Sequence, residues 1–78
     1  MNSEARNLLL KLLEDRDAFF DKNNVLNSDG RRLLNKVLKL VLRDRPKLRG
    51  VAGKVRRNPT YDNVLRLTKE LLEGPADL

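Results

Sequence analysis

The segment from Arg31 to Arg43 constrains the fold more than any other, because it is apolar over most of a helix surface. At about 100° per residue, its leucines and valines cover an arc of about 200°, whereas a surface helix buries a stripe only somewhat wider than about 100°. An arc of this width must contact neighbours on more than one side. The segment therefore predicts the central helix of a bundle, with these apolar residues: Leu33, Leu34, Val37, Leu38, Leu40, Val41 and Leu42.

Three further segments place apolar residues at the i, i+3, i+4 spacing of amphipathic helices. Ser3 and Thr60 are suited to cap the first and last of these helices, and either Ser28 or Asp29 is suited to cap the central one. Pro46 suits the first position of the remaining, shorter helix. The four predicted helices cover residues 3–20, 29–44, 46–57 and 60–73.

This pattern predicts an all-α protein with a compact four-helix bundle, made of three longer helices and one short helix. No run alternates apolar and polar residues, so we expect no strand. A single domain spans residues 1–78, with residues 75–78 as a short tail after the Gly74–Pro75 stop. The predicted core consists of Leu9, Leu12, Leu34, Val37, Leu38, Val41, Val51, Val64, Leu65 and Leu71.

Composition excludes several kinds of chemistry. The 78 residues contain no Cys and no His, which removes disulfides, thiolate zinc sites and the commonest general base. We therefore expect no cofactor, no metal and no enzymatic activity. Asp21 and Asn23 stand at the first and third positions of a calcium-type loop, but Leu26 replaces the Gly that such a loop needs. No apolar run reaches the roughly 18 residues of a membrane span, and we expect an intracellular protein without a membrane partner.

Basic residues are concentrated in the middle third of the chain. The whole chain has 17 basic and 11 acidic residues, for a net charge of +6. Residues 30–58 contain eleven of the basic residues and a single acid, Asp44. This concentration favours a polyanionic or acidic partner, although a solvated basic face of a stable helical domain gives the same pattern.

The candidate binding residues follow from this concentration. Four of them recur at i, i+4, i+7 and i+11 on the polar side of the central helix and form a row without an acid in it. We call these four, Arg32, Lys36, Lys39 and Arg43, the basic row. The others lie in the following segment: Lys47, Arg49, Lys54, Arg56 and Arg57.

Two glycines within that segment have several interpretations. Gly50 and Gly53 match the GxxG sequence with which KH domains clamp a nucleic-acid backbone, but KH domains need a sheet. The pair also resembles the glycine turn of helix-hairpin-helix motifs, where one residue rather than two separates the glycines. In a helix, each glycine costs about 1 kcal/mol relative to Ala. We therefore expect either a close approach of another backbone or a segment that is partly a turn.

A larger resemblance extends from Arg49 to Leu72. It is carried by Gly50, Val55, Arg56, Arg57, Val64, Leu67, Lys69, Leu71 and Leu72. This stretch is similar to the latter half of the TFIIS N-terminal (LW) domain, which has relatives in elongin A and in a Mediator subunit. Thr68 stands where that family usually has Ala, and the closing Trp-Lys is missing. The resemblance implies a non-catalytic helical docking module for short disordered peptides of transcription factors, and a nuclear location in place of a cytoplasmic one.

Two functions from different classes follow from these residues. One is a non-catalytic interaction module that docks acidic or apolar–acidic segments of a partner protein. The alternative is a nucleic-acid-binding protein that contacts the phosphate backbone through the same cations. A homo-oligomer is a further possibility, because a second copy could cover apolar surface left over on the central helix.

Overall fold

The computed structural model describes residues 3–73, which form an all-α bundle as predicted. The predicted tail at 75–78 and the predicted capping by the Ser3 side chain lie outside the described residues and side chains. Within residues 3–73 there is no strand, only two isolated β-bridges. The elements are α1 (Ser3–Glu14), the single turn α2 (Arg16–Phe19), α3 (Ser28–Asp44), a 3-10 turn (Pro46–Leu48), α4 (Arg49–Arg57) and α5 (Tyr61–Glu73).

The four longer helices are arranged as a ring in which each neighbour runs in the opposite direction. Helix α3 packs between α1 and α4, and α5 closes the ring by packing against both α4 and α1. The end of α2 meets the start of α3 through the Asn27 N–H, which donates to the Phe19 carbonyl. At the same end of the bundle, the Leu26 N–H donates to the carbonyl of Pro59, just before α5. The wide apolar arc of α3 thus contacts α1 on one side and α4 on the other.

The core contains most of the residues that helical periodicity predicts, with two corrections. Val51 and Leu65 are only half-buried, because each lies at the edge of its helix's apolar face. Their places are taken by Ala52 and Leu67, which are 2% and 0% exposed. The buried hydrophobic residues are Ala5, Leu9, Leu12, Phe20, Leu26, Leu34, Val37, Leu38, Val41, Ala52, Val55, Val64, Leu67 and Leu71.

The first predicted helix, 3–20, is interrupted at Asp15. Helix α1 ends at Glu14, and Asp15 has the non-helical angles φ −100° and ψ 54°. Glu14, Asp15 and Asp17 place three carboxylates where the negative end of the α1 dipole would disfavour them. The break has a packing consequence, because Phe20 then adopts an extended conformation and becomes buried, while Phe19 stays half-buried.

The cap of α3 differs from the prediction. Neither Ser28 nor Asp29 caps the helix; instead the side-chain oxygen of Asn27 accepts the N–H of Gly30 at 2.8 Å. The amide nitrogen of Asn27 also donates to the Ala18 carbonyl at 2.8 Å, so that one side chain joins α2 to α3. An amide can do both, whereas a carboxylate has no N–H to donate.

Gly30 is a packing requirement of this junction. A Cβ at this position would lie 2.6 Å from the carbonyl oxygen of Phe19 and 2.6 Å from a methyl group of Leu26. Backbone atoms cannot move aside as the end of a flexible side chain can. The start of α3 therefore packs against α2 at a distance that only Gly permits.

The loop between α2 and α3 is organised by Asp21 and Asn24. One carboxylate oxygen of Asp21 accepts the N–H groups of Asn23 at 2.8 Å and Val25 at 3.1 Å. Asn24 has a φ of 63°, a left-handed conformation that Asn tolerates better than most residues. The Asp21 carboxylate thus stabilises the turn of the loop by accepting two backbone N–H groups.

The connection from α4 to α5 contains the predicted Thr60 cap. The hydroxyl of Thr60 accepts the Asn63 N–H at 3.2 Å, which satisfies one of the free donors at the start of α5. Val25 and Thr60 form one of the two isolated β-bridges, and the Tyr61 N–H donates to the Asn24 carbonyl. These contacts join the start of α5 to the loop before α3.

The segment after α3 is partly a turn, one of the two possibilities that its glycines suggested. Pro46 stands at the first position of a 3-10 turn, and the α-helix proper begins only at Arg49. Leu48 precedes α4 and provides no side-chain cap. The other possibility, a close approach of another backbone, is wrong: a Cβ on Gly50 would meet nothing within 4 Å, and one on Gly53 only an Arg57 nitrogen at 4.0 Å.

Candidate functional site

All nine candidate cations are exposed, but they do not form one surface. The basic row lies on α3, and the other residues lie on the 3-10 turn and α4. Within the second group, helical spacing separates two directions. Arg49 and Arg56 point toward α3, and the Arg57 guanidinium lies near Gly53. Lys54 is on the outer side of α4, and Lys47 is on the 3-10 turn.

The basic row follows the solvent face of α3, opposite its buried side. Two of its members lie near carboxylates: Arg32 is 4.0 Å from Asp29, and Lys36 is 3.8 Å from Glu4 of α1. These are exposed pairs, so each stabilises the fold by well under about 1 kcal/mol. They nevertheless lower the net positive potential of the row at one end, which the sequence pattern did not reveal.

Arg49 and Arg56 lie beside a groove between α3 and α4. Its volume is about 110 Å³. We call it the α3–α4 groove, and it is lined by Leu38, Leu42, Arg49, Ala52, Gly53 and Arg56. Leu38 and Ala52 are buried, and Leu42 and Gly53 are half-buried, so the inner part is apolar.

Gly53 keeps this groove open. A Cβ there would make only an ordinary contact with Arg57, so packing does not demand glycine. The absence of a side chain instead leaves space between Arg49 and Arg56. Gly50 is equally unrestricted but lies outside the groove on the exposed side of α4. A larger residue at position 53 would therefore obstruct the groove, whereas a larger residue at position 50 would not.

The groove is the feature that sequence reasoning missed. The sequence divided the nine cations between the central helix and the segment after it. It did not separate those of α4 by direction, because position along a helix does not tell which neighbour a side chain faces. A signal for the groove was present in the spacing Arg49-x-x-Ala52-Gly53-x-x-Arg56, with two small residues between two arginines. Nothing in α3 alone identified Leu38 and Leu42 as the opposite wall.

A second, larger depression lies on α5. Its volume is about 270 Å³, and it is lined by Asp62, Leu65, Arg66 and Lys69. It contains one half-buried apolar side chain among charges of both signs. This mixture offers less apolar surface and no uniform charge, so it is a weaker candidate than the α3–α4 groove.

In the part of the chain that the structure describes, no group of three or more potential metal ligands comes together. Glu14, Asp15 and Asp17 are all exposed. No helix among the described residues is long and apolar enough to cross a membrane. The chain matches no family model, and no curated protein or solved structure was found to match it.

Proposed function

We propose that this protein is a non-catalytic helical docking module that binds an apolar–acidic segment of a partner protein in the α3–α4 groove. The observation that carries the proposal is the groove itself, in which Arg49 and Arg56 flank an apolar floor. An apolar side chain of the partner gains about 25 cal/mol for each Å² that it removes from water. Carboxylates beside it would meet the two arginines, which adds specificity and a faster association rate.

The resemblance to TFIIS N-terminal domains supplies a class of partner for this proposal. It favours short disordered segments of transcription proteins and a nuclear location. Such segments bind with modest affinity, because ordering them on binding offsets part of the contact energy. We accordingly expect a reversible complex of small interface area.

Binding to a nucleic-acid backbone is the competing function. Three observations favour protein docking over it. Part of the basic row already lies near carboxylates, and the cations of α4 face in different directions. The aromatic residues are also committed to packing, since Phe20 is buried and the Tyr61 ring lies against Arg16 and Phe20. They are poorly placed to stack on bases.

A charge-matched pair of variants separates the two functions. The groove variant, Arg49→Glu with Arg56→Glu, reverses both charges beside the groove. The row variant, Lys36→Glu with Lys39→Glu, makes the same change of charge on the basic row. Binding of a labelled apolar–acidic peptide, measured by fluorescence anisotropy, should be lost in the groove variant and largely kept in the row variant. Loss in both variants alike would contradict a specific groove.

A salt titration with duplex DNA completes the test. If the protein binds the backbone through four to six contacts, the logarithm of the binding constant should fall with that of salt at a slope of roughly −4 to −5. In that case the row variant should flatten the slope and weaken every sequence equally. Detectable duplex binding of this kind without peptide binding would overturn the docking proposal.

A further inference from the structure

The spacing of the two groove arginines indicates the conformation of the ligand. Arg49 and Arg56 are seven residues apart on α4, which places their Cα atoms about 10.5 Å apart along the axis and nearly on one side. Ala52 and Gly53 lie between them with the smallest side chains that a helix can present. A ligand backbone can therefore approach α4 closely at the centre and meet a cation at each end.

An extended ligand fits this spacing poorly. Its residues rise by about 3.3 Å and alternate between faces, so same-face carboxylates lie about 6.6 or 13 Å apart. Residues three apart match the distance but point to opposite faces. In a helix, residues seven apart repeat both the distance of about 10.5 Å and the direction. The arginine spacing on α4 thus matches a second helix better than a strand.

The apolar part of the groove specifies what lies between the two acids. Residues three and four positions after the first acid fall on the same helix face as both acids. They would enter the groove over Ala52 and Gly53 and against the wall formed by Leu38 and Leu42. Packing of one helix into a groove through such positions is a recurrent mode of peptide recognition.

We propose that the α3–α4 groove binds a helical segment of a partner in which two acidic residues seven apart flank two apolar residues at the third and fourth positions. This inference rests on the proposed function and makes it more specific. Because an arginine lies at each end of the groove, a helix with an acid at each end of this motif can bind parallel or antiparallel to α4.

Three peptides that differ in glutamate spacing or in helicity test this inference. The first is an alanine-based peptide of about 16 residues with glutamates seven apart and leucines at the third and fourth positions between them. The second has the same residues with its glutamates two apart, and the third carries a central proline that breaks the helix. We expect the first to bind about tenfold more tightly than the others and to gain helical circular dichroism on binding. Equal binding of all three would overturn this inference but leave peptide docking standing, and no binding by any would overturn both.

Two pairs of protein variants test the location. Gly53→Leu fills the groove and should weaken binding of the first peptide by about tenfold, whereas Gly50→Leu on the outer side of α4 should leave the affinity unchanged.

Arg56→Glu should weaken binding of the first peptide by about fivefold to tenfold. Replacing one of the peptide's two glutamates with lysine should then restore binding, because the lysine can pair with the new glutamate. Lys54→Glu makes the same change of charge on the outer side of α4, away from the groove lining, and should have little effect. Equal losses for Arg56→Glu and Lys54→Glu, or no loss with Gly53→Leu, would place the ligand elsewhere.

Discussion

The junction from residue 15 to residue 31 connects α1 to α3, and the segment from residue 45 to residue 57, which includes α4, connects α3 to α5. The two regions are stabilised differently. In the junction, the side chains of Asp21 and Asn27 bind backbone groups on both sides of the turn. The segment 45–57 contains no such side-chain cap at the start of α4 and is held by the burial of Ala52 and Val55. The junction therefore has directional side-chain contacts in addition to the buried Phe20 and Leu26, whereas the segment has buried residues and backbone hydrogen bonds but no side-chain cap.

This difference suits the positions of the two regions. The junction joins three elements at one end of the bundle, and fixed geometry there determines how α3 and α5 are placed. The segment forms one side of the α3–α4 groove, where glycine leaves open space at a cost in helix stability. We infer that stability is concentrated in the junction, whereas the surface available for binding lies on the segment.

The largest effect should come from the helix on which both regions depend. Val41→Asp places an unpaired charge at a position that is 3% exposed, and we expect the whole bundle to lose its cooperative unfolding transition. Thermal melting followed by circular dichroism measures this. Asn35→Asp on the exposed side of α3 is the control and should melt near the wild type. A cooperative transition in Val41→Asp would contradict the placement of α3 at the centre.

The next largest effect tests the close contact within the junction. Gly30→Ala forces a methyl group against the Phe19 carbonyl, and we expect the free energy of unfolding to fall by about 2 to 3 kcal/mol. Urea denaturation measures the loss. Gly50→Ala makes the same substitution where nothing lies within 4 Å and should not destabilise the protein. Similar results for both variants would remove the contrast between the two regions.

A smaller effect distinguishes the observed cap from the one expected from sequence. Asn27→Ala removes both the cap of α3 and the bond to Ala18, and should lower the free energy of unfolding by about 1 to 2 kcal/mol. Ser28→Ala should change it by less than about 0.5 kcal/mol, since Ser28 does not cap the helix. Urea denaturation of both variants decides between them. A larger loss for Ser28→Ala would show that the cap is assigned to the wrong residue.

The smallest effect is a gain. Gly50→Ala and Gly53→Ala should each stabilise α4 by about 0.5 to 1 kcal/mol, because alanine is a better helix former and neither position is crowded. Hydrogen exchange of the α4 amides should slow, with little change in the amides of the junction. Equal slowing of the α4 and junction amides would mean that α4 opens only when the whole protein unfolds, and that the two regions are not independently stable.

Periodic apolar spacing was sufficient to predict the fold class and most of the core, because burial of one helix face is a local property of the sequence. It placed Val41 and Leu34 correctly. It could not distinguish Val51 from Ala52, since both belong to the same stripe and the orientation of α4 depends on its neighbours. The choice of Asn27 over Ser28 depended in the same way on a distant carbonyl.

The candidate groove depended on tertiary structure even more. That the chain is basic between residues 30 and 58 was evident, but the cations divide among several directions once the helices pack. Leu42 and Gly53 line the same groove although the 3-10 turn separates them in the chain. A sequence pattern predicts which residues are exposed, but not which exposed residues share a surface.

The contacts of Tyr61 have a spectroscopic consequence. It is the single tyrosine of a chain without tryptophan, and its ring lies 4.3 Å from the Arg16 guanidinium and 5.4 Å from the Phe20 ring. Tyrosine emission therefore originates from one site, at the junction, and Tyr61 does not line the α3–α4 groove. The unmodified protein thus contains an intrinsic fluorophore that reports on opening of the junction, so that unfolding can be followed in the presence of a tyrosine-free ligand without any added label.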